Sequence, residues 1–121
     1  MKVRSDQNLD VWNLGMFLAE DCYRLTKQFP TEERYGLTSQ IRRASVSVPA
    51  NIAEGCGREY SPEFIRFLRI AQGSLKELET YLLLIVRIEL ATTDQTKSLL
   101  NRCASISRML KALIRSLQSK T

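Results

Sequence analysis

An all-α fold is predicted for this chain, an up-down-up-down four-helix bundle in one domain spanning residues 1–121. Three observations predict it. Apolar residues recur at helical spacing in four separate segments, and no stretch alternates with the period of two that a half-buried strand needs. The segments are joined by short polar connections, which favour antiparallel neighbours. A chain of 121 residues, 44% of them hydrophobic, is also long enough to bury a core without disulfides or a metal.

The first helix is predicted over about residues 9–29. At about 100° per residue, Val11, Leu14, Leu18, Cys22, Leu25 and Phe29 share one face, and Pro30 stops the run. The polar connection "TEERYG" follows. The second helix is predicted over about 37–55, with Thr38 as its cap and Leu37 and Ile41 as a hydrophobic staple. Ile41, Ala44, Val48, Ile52 and Gly55 form its core face, while Arg43, Ser47, Ala50 and Glu54 lie nearly opposite.

Pro49 falls inside this second helix. An internal proline removes one backbone hydrogen bond and crowds the preceding turn, at a cost of about 3 kcal/mol. The helix is therefore expected to kink at Pro49 and to free the Ser45 carbonyl, with the Ser45 and Ser47 hydroxyls and the Asn51 amide near enough to help. Small Ser47 and Ala50 would let another helix approach closely, and a kink serving packing alone is the plainer explanation. Gly55 and Gly57 are expected to end the helix as residues that tolerate the left-handed region.

The third helix is predicted over about 62–90, opened by "YSPEF" with Ser61 as N-cap and Pro62 in the first turn. Phe64, Phe67, Leu68, Ala71, Leu75, Leu78, Leu82, Ile85 and Val86 form its core stripe. The fourth, about 93–118, opens on "TTDQ", a capping box of Thr92 with Gln95. Its core face is Leu99, Cys103, Ile106, Leu110, Leu113 and Leu117.

Two helices carry more apolar surface than one core face requires. Ile70, Tyr81, Leu84 and Ile88 widen the third, and Trp12, Met16, Ala19 and Tyr23 make a second stripe on the first. Scattered surface apolars are ordinary. Two doubled stripes rich in aromatics and Met point instead to a subunit interface built from Trp12, Met16, Tyr23, Ile70, Tyr81 and Ile88.

Charge is distributed unevenly. Residues 1–90 hold twelve basic and twelve acidic side chains, so the whole net charge of +5 arises in residues 91–121. There Lys97, Arg108, Lys111 and Arg115 fall within about 60° of one another, opposite the apolar face. A charge run is usually a solvated face, but a solvated face normally mixes signs. A single-signed basic stripe suits phosphate backbones, where each cation displaces counterions.

Several chemistries are disfavoured. Histidine is absent, which removes Ser-His-Asp and Cys-His arrangements and imidazole metal sites. The three cysteines, Cys22, Cys56 and Cys103, are far apart and form no CxxC pair. No catalytic residue, metal site or cofactor is therefore expected, and carboxylate chemistry at Glu54, Glu77 and Glu79 is the weakest reading. The start, "MKVRSDQNLDVW", has no apolar run suited to a signal peptide and no segment resembles a membrane span, so a cytoplasmic protein without membrane contact is expected.

The stretches "GLTSQIRRASVSVPANIAEGCGR" and "EFIRFLRIAQGSLKELETYL" closely resemble the four-helix-bundle family of 23S rRNA intervening-sequence proteins. More distantly related to that family is the accessory variability protein Avd of diversity-generating retroelements. The resemblance runs from "LDVW" to about Leu84, and the last helix matches only in character. Where the usual pattern reads "RGS", this chain has "QGS" with Gln72. The resemblance implies a ring-shaped homopentamer with a central channel, encoded in bacteria inside insertions in 23S rRNA genes. It attributes catalytic residues to neither branch.

The leading expectation is a non-enzymatic oligomer that binds RNA or DNA backbone through basic surfaces. Lys97, Arg108, Lys111 and Arg115 carry it, with Arg42, Arg43 and Arg58 as secondary candidates. The alternative, implied by the Avd resemblance, is an adaptor that recruits a protein partner such as a retroelement reverse transcriptase.

Overall fold

The computed structural model describes residues 6–119. Four helices follow one another, α1 (Asp6–Thr26), α2 (Leu37–Cys56), α3 (Ser61–Arg87) and α4 (Thr93–Ser119), with a 3-10 turn at Thr31–Glu33 between the first two. There is no strand among the described residues. α1 and α3 each pack closely against both α2 and α4. This is the four-helix bundle expected from the sequence.

Its core is the set of faces that periodicity selects. Val11, Leu18 and Cys22 of α1 meet Ile41, Val48 and Ile52 of α2, Leu68, Leu75, Leu78 and Leu82 of α3, and Cys103, Ile106 and Leu110 of α4 in one buried cluster. Burying each large aliphatic side chain contributes about 1.5–3 kcal/mol. Leu14, Phe29, Phe67 and Val86 are only half-buried at the edge of this core. Phe67 is covered from outside by Arg58 and Arg66, whose guanidinium carbons lie 5.0 and 4.5 Å from the ring centre.

The helix ends depart from several expectations, each for a local reason. α1 stops at Thr26, not near Phe29, and its last carbonyls accept from turn residues, Lys27 N to Tyr23 O at 3.1 Å and Gln28 N to Leu25 O at 3.2 Å. Thr38 does not cap α2, because the helix already begins at Leu37 and Thr38 is buried within it. The Glu33 carboxylate takes that role from the preceding turn, accepting from Leu37 N at 3.3 Å. Ser61 is likewise inside α3, with Tyr60 at the N-cap position and no side-chain cap bond.

Gly57 ends α2 at φ −77°, so no left-handed residue is used there. Gly55 serves packing instead: a Cβ built on it would lie 2.8 Å from Phe64 Cδ1 and 3.0 Å from Phe67 Cβ. The left-handed turn occurs later and without glycine. Glu89, at φ 66°, follows α3, with Leu90 N donating to Ile85 O at 2.9 Å and Glu89 N to Val86 O at 3.1 Å. These two bonds make a Schellman motif that ends α3 before the predicted Leu90. The α4 capping box forms as predicted: Thr92 N donates to Gln95 Oε1 at 2.8 Å and Gln95 N to Thr92 Oγ1 at 3.2 Å.

α2 runs through Pro49 without stopping. The ring is buried against α1, where Gly15 leaves room: a Cβ there would sit 3.3 Å from Pro49 Cβ and 3.4 Å from its Cδ. Burial against a glycine offsets part of the missing backbone bond. The expected rescue by serine hydroxyls does not occur. Ser45 Oγ donates to Arg42 O at 3.0 Å, and Ser47 Oγ pairs with Ser74 Oγ of α3 at 2.8 Å while accepting from Asn51 Nδ2 at 2.9 Å. The close approach expected along Ser47 is therefore made by α3.

Candidate nucleic-acid interface

The capping box fixes where α4 begins, and its buried face then dictates which residues point out. Lys97, Arg108, Lys111 and Arg115 are all exposed. From Lys97 to Arg115 the stripe spans about 27 Å at 1.5 Å per residue. None of the four joins an ion pair among the described residues. Arg108 Nη2 donates to Ser105 Oγ at 3.2 Å. Arg102, on the α1 side, behaves differently. It bonds Asp21 at 2.7 Å and lies 6.0 Å from the centre of the Phe17 ring.

The stripe is half of a wider basic face. Lys111 and Ser107 of α4 border a groove with Gln72, Gly73 and Lys76 of α3. Extending that antiparallel register puts Arg69 level with Arg115 and Arg87 level with Lys97. Arg69, Lys76 and Arg87 were missed because acids and apolar residues surround them in sequence. Their spacing of seven and then eleven residues, which keeps them on one side of a helix, was the available signal. Lys76 is partly compensated by Glu79 at 3.4 Å; Arg69 and Arg87 join no ion pair among the described residues.

The secondary arginines lie elsewhere and are not equivalent. Arg42 binds inward: its Nε donates to Thr26 Oγ1 at 2.8 Å, Nη2 approaches Tyr23 O at 3.5 Å, and the guanidinium stacks 4.5 Å from the Tyr23 ring centre. It thus clamps the C-terminal end of α1, where a cation also complements the helix dipole. Arg58 is held by Glu54 at 3.0 Å and by the Phe67 ring. Arg43 is exposed and without an ion pair among the described residues.

Residues 7–112 match the 23S rRNA-intervening sequence protein family. The chain belongs to that family. It is also similar to a crystal structure of a protein of unknown function from the S23 ribosomal protein family of Bacteroides thetaiotaomicron VPI-5482. The two share 28% sequence identity at a TM-score of 0.83, over 90% of this chain and 98% of that one. No curated protein matches.

In this 23S rRNA-intervening sequence family member the apolar candidates fall on two faces that flank α2. Met16, Ala19 and Tyr23 line a groove of about 450 Å³ with Val46 and Pro49 between α1 and α2. Trp12 is half-buried and packs on the core. On the other side Tyr81 is half-buried, its hydroxyl 3.4 Å from Gln40 Oε1 and 3.3 Å from Glu77 Oε2. Burial and the Glu77 carboxylate push that phenol's pKa up. Ile70 and Ile88 are exposed at 40% and 48%, too open for core residues. Phe17, Val46 and Leu83 are comparably exposed and were not anticipated.

The Cys22 and Cys103 thiols are unsuited to nucleophilic work. Burial pushes both Cys22 and Cys103 up to about 12, so neither forms thiolate near neutrality. Among the described residues no group of three or more Cys, Asp or Glu converges as a metal site, and no helix is long and apolar enough to cross a membrane.

Proposed function

We propose that this protein is a non-enzymatic homo-oligomer that binds nucleic-acid backbone through the α3/α4 face. The observation that carries the reading is the row of exposed cations on α4, none of them ion-paired among the described residues, continued onto α3 by Arg69 and Arg87. Unpaired cations aligned over several turns repel one another, and a phosphate backbone supplies the missing counter-charge. The family takes its name from 23S rRNA, which favours RNA as the first ligand to test.

Assembly is supported by the two apolar faces flanking α2. They are different surfaces, so a contact of one on the other is head-to-tail, which forms a ring when its rotation closes; a ring of five subunits is what the family resemblance implies. A ring repeats the basic face and adds avidity to modest single sites. The apolar α1/α2 groove also supports a second reading, an adaptor that seats a protein partner there.

Fluorescence anisotropy with a structured RNA and a duplex DNA tests the first reading. Replacing Lys97, Arg108, Lys111 and Arg115 by Gln should weaken binding. The slope of log affinity against log salt should fall by roughly 0.7–0.9 for each phosphate no longer neutralised. Equal affinity and slope in the quadruple variant would leave the stripe a solvated face and give the adaptor reading first place.

A further inference from the structure

A cleft of about 630 Å³ opens where the α1–α2 connection meets the first turns of α2, on a different surface from the α3/α4 face. Tyr23, Arg34, Tyr35, Ser39, Arg42 and Arg43 are among its lining, and no carboxylate is. Three guanidinium groups therefore border one concavity. None of them joins an ion pair among the described residues. The adjacent acid, Glu33, directs its carboxylate to the backbone N–H of Leu37. Glu77, on α3, accepts a hydrogen bond from Tyr81, whose phenol also feels the Arg43 charge.

The aromatic residues add a second kind of recognition. Tyr35 is 89% exposed, the most open of the large hydrophobic side chains among the described residues. Nothing in the core holds its ring. The Tyr23 ring, in contrast, is already covered by Arg42, which Thr26 fixes in place. The cleft thus has a fixed cation on one wall, two further arginines at Arg34 and Arg43, and an open aromatic platform. Its volume lies within the range of about 300–1,000 Å³ that small-molecule sites occupy.

We propose that this cleft binds a nucleotide unit of a single-stranded nucleic acid, with the base stacked on Tyr35 and the flanking phosphates on Arg34 and Arg43. Base stacking on an aromatic beside a cationic track is how single strands are held without sequence reading. A duplex keeps its bases stacked inside and has none to offer Tyr35. An acidic peptide would satisfy the arginines and leave the ring unused. The proposal rests on the reading that this chain binds nucleic acid, but it uses none of the α4 residues, so the two fail separately.

Anisotropy of a labelled oligouridine and of a duplex RNA, measured on the full chain at about 50 mM salt and above, tests it. Tyr35→Ala should weaken oligouridine binding about tenfold with the salt slope unchanged, because stacking is removed and every phosphate partner stays. Duplex binding should not move. Arg34→Gln with Arg43→Gln should lower the single-strand slope by roughly 1.4. The α4 quadruple variant should lose the duplex and keep the oligouridine. All substituted cleft positions are exposed, and circular dichroism checks that each variant keeps its helix content. Absence of oligouridine binding by the wild type overturns the proposal, as does wild-type affinity in Tyr35→Ala. Displacement of oligouridine by polyglutamate, equally from wild type and Tyr35→Ala, overturns it in favour of an acidic peptide.

Discussion

α2 and α4 are both amphipathic and both carry arginines, yet they are held by different means. α2 is fitted to its neighbours atom by atom. Pro49 meets Gly15, Gly55 meets Phe64, Ser47 bonds Ser74, and Arg42 reaches the end of α1. α4 is held by its apolar stripe, the Thr92–Gln95 capping box, a Gln95–Gln28 contact at 3.4 Å and the Arg102–Asp21 bridge. The difference teaches what its arginines are for. A guanidinium that already has internal partners stabilises the fold, whereas one left unpaired on a face of like charge is available to a ligand.

The sharpest way to break this contrast is at Gly55. Gly55→Val places atoms against the buried Phe64 ring and 3.2 Å from the Phe64 carbonyl oxygen, neither of which can withdraw freely. A destabilisation of about 3 kcal/mol is expected, at the upper end for overpacking. Urea unfolding monitored by circular dichroism measures it. An unchanged midpoint would show that α2 and α3 have slack between them at Gly55.

Smaller in size, but closer to function, is the pair Arg42→Gln and Arg115→Gln. Losing the Thr26 bond and the Tyr23 stack should cost about 1–2 kcal/mol. Removing Arg115, which has no ion pair among the described residues, should change stability by less than about 0.5 kcal/mol. Equal effects in the same unfolding assay would erase the distinction between structural and available arginines.

The same contrast explains what was legible in the sequence. Periodicity selects the four helices, nearly all of the core and the α4 stripe, because each depends on spacing along one helix. The α4 capping box is local too, and it forms as read. What escaped depends on atoms from other segments. Glu33 replaces Thr38 as the α2 cap because the 3-10 turn brings its carboxylate back to Leu37 N. Glu89 ends α3 in a conformation that composition assigns to glycine. Arg69, Lys76 and Arg87 become part of a basic face only once α3 and α4 are set in register. The Tyr35 cleft needs the connection and α2 to close around one space.

Gly73 gives the mildest and most discriminating test. It lies inside α3, yet a Cβ built on it would meet nothing within 4 Å, the opposite of Gly55. Inside a helix, glycine is about 1 kcal/mol less favourable than alanine. No packing contact among the described residues calls for a glycine there. Gly73→Ala should therefore stabilise the isolated bundle by about 0.5–1 kcal/mol, since the methyl points into open space and the unfolded chain loses freedom. Gln72 and Lys76 border the same groove, so a second subunit or a nucleic-acid backbone approaching there would meet the added methyl. Thermal unfolding at dilute protein reads the stability gain. Light scattering against the 13.9 kDa subunit mass, together with RNA anisotropy, reads the approach. Higher stability with unchanged assembly and binding would mean that the α3 face at Gly73 meets only water. Higher stability joined to a smaller assembly or weaker RNA binding would assign the glycine to that contact. A decrease in stability would contradict the open surroundings from which the prediction starts.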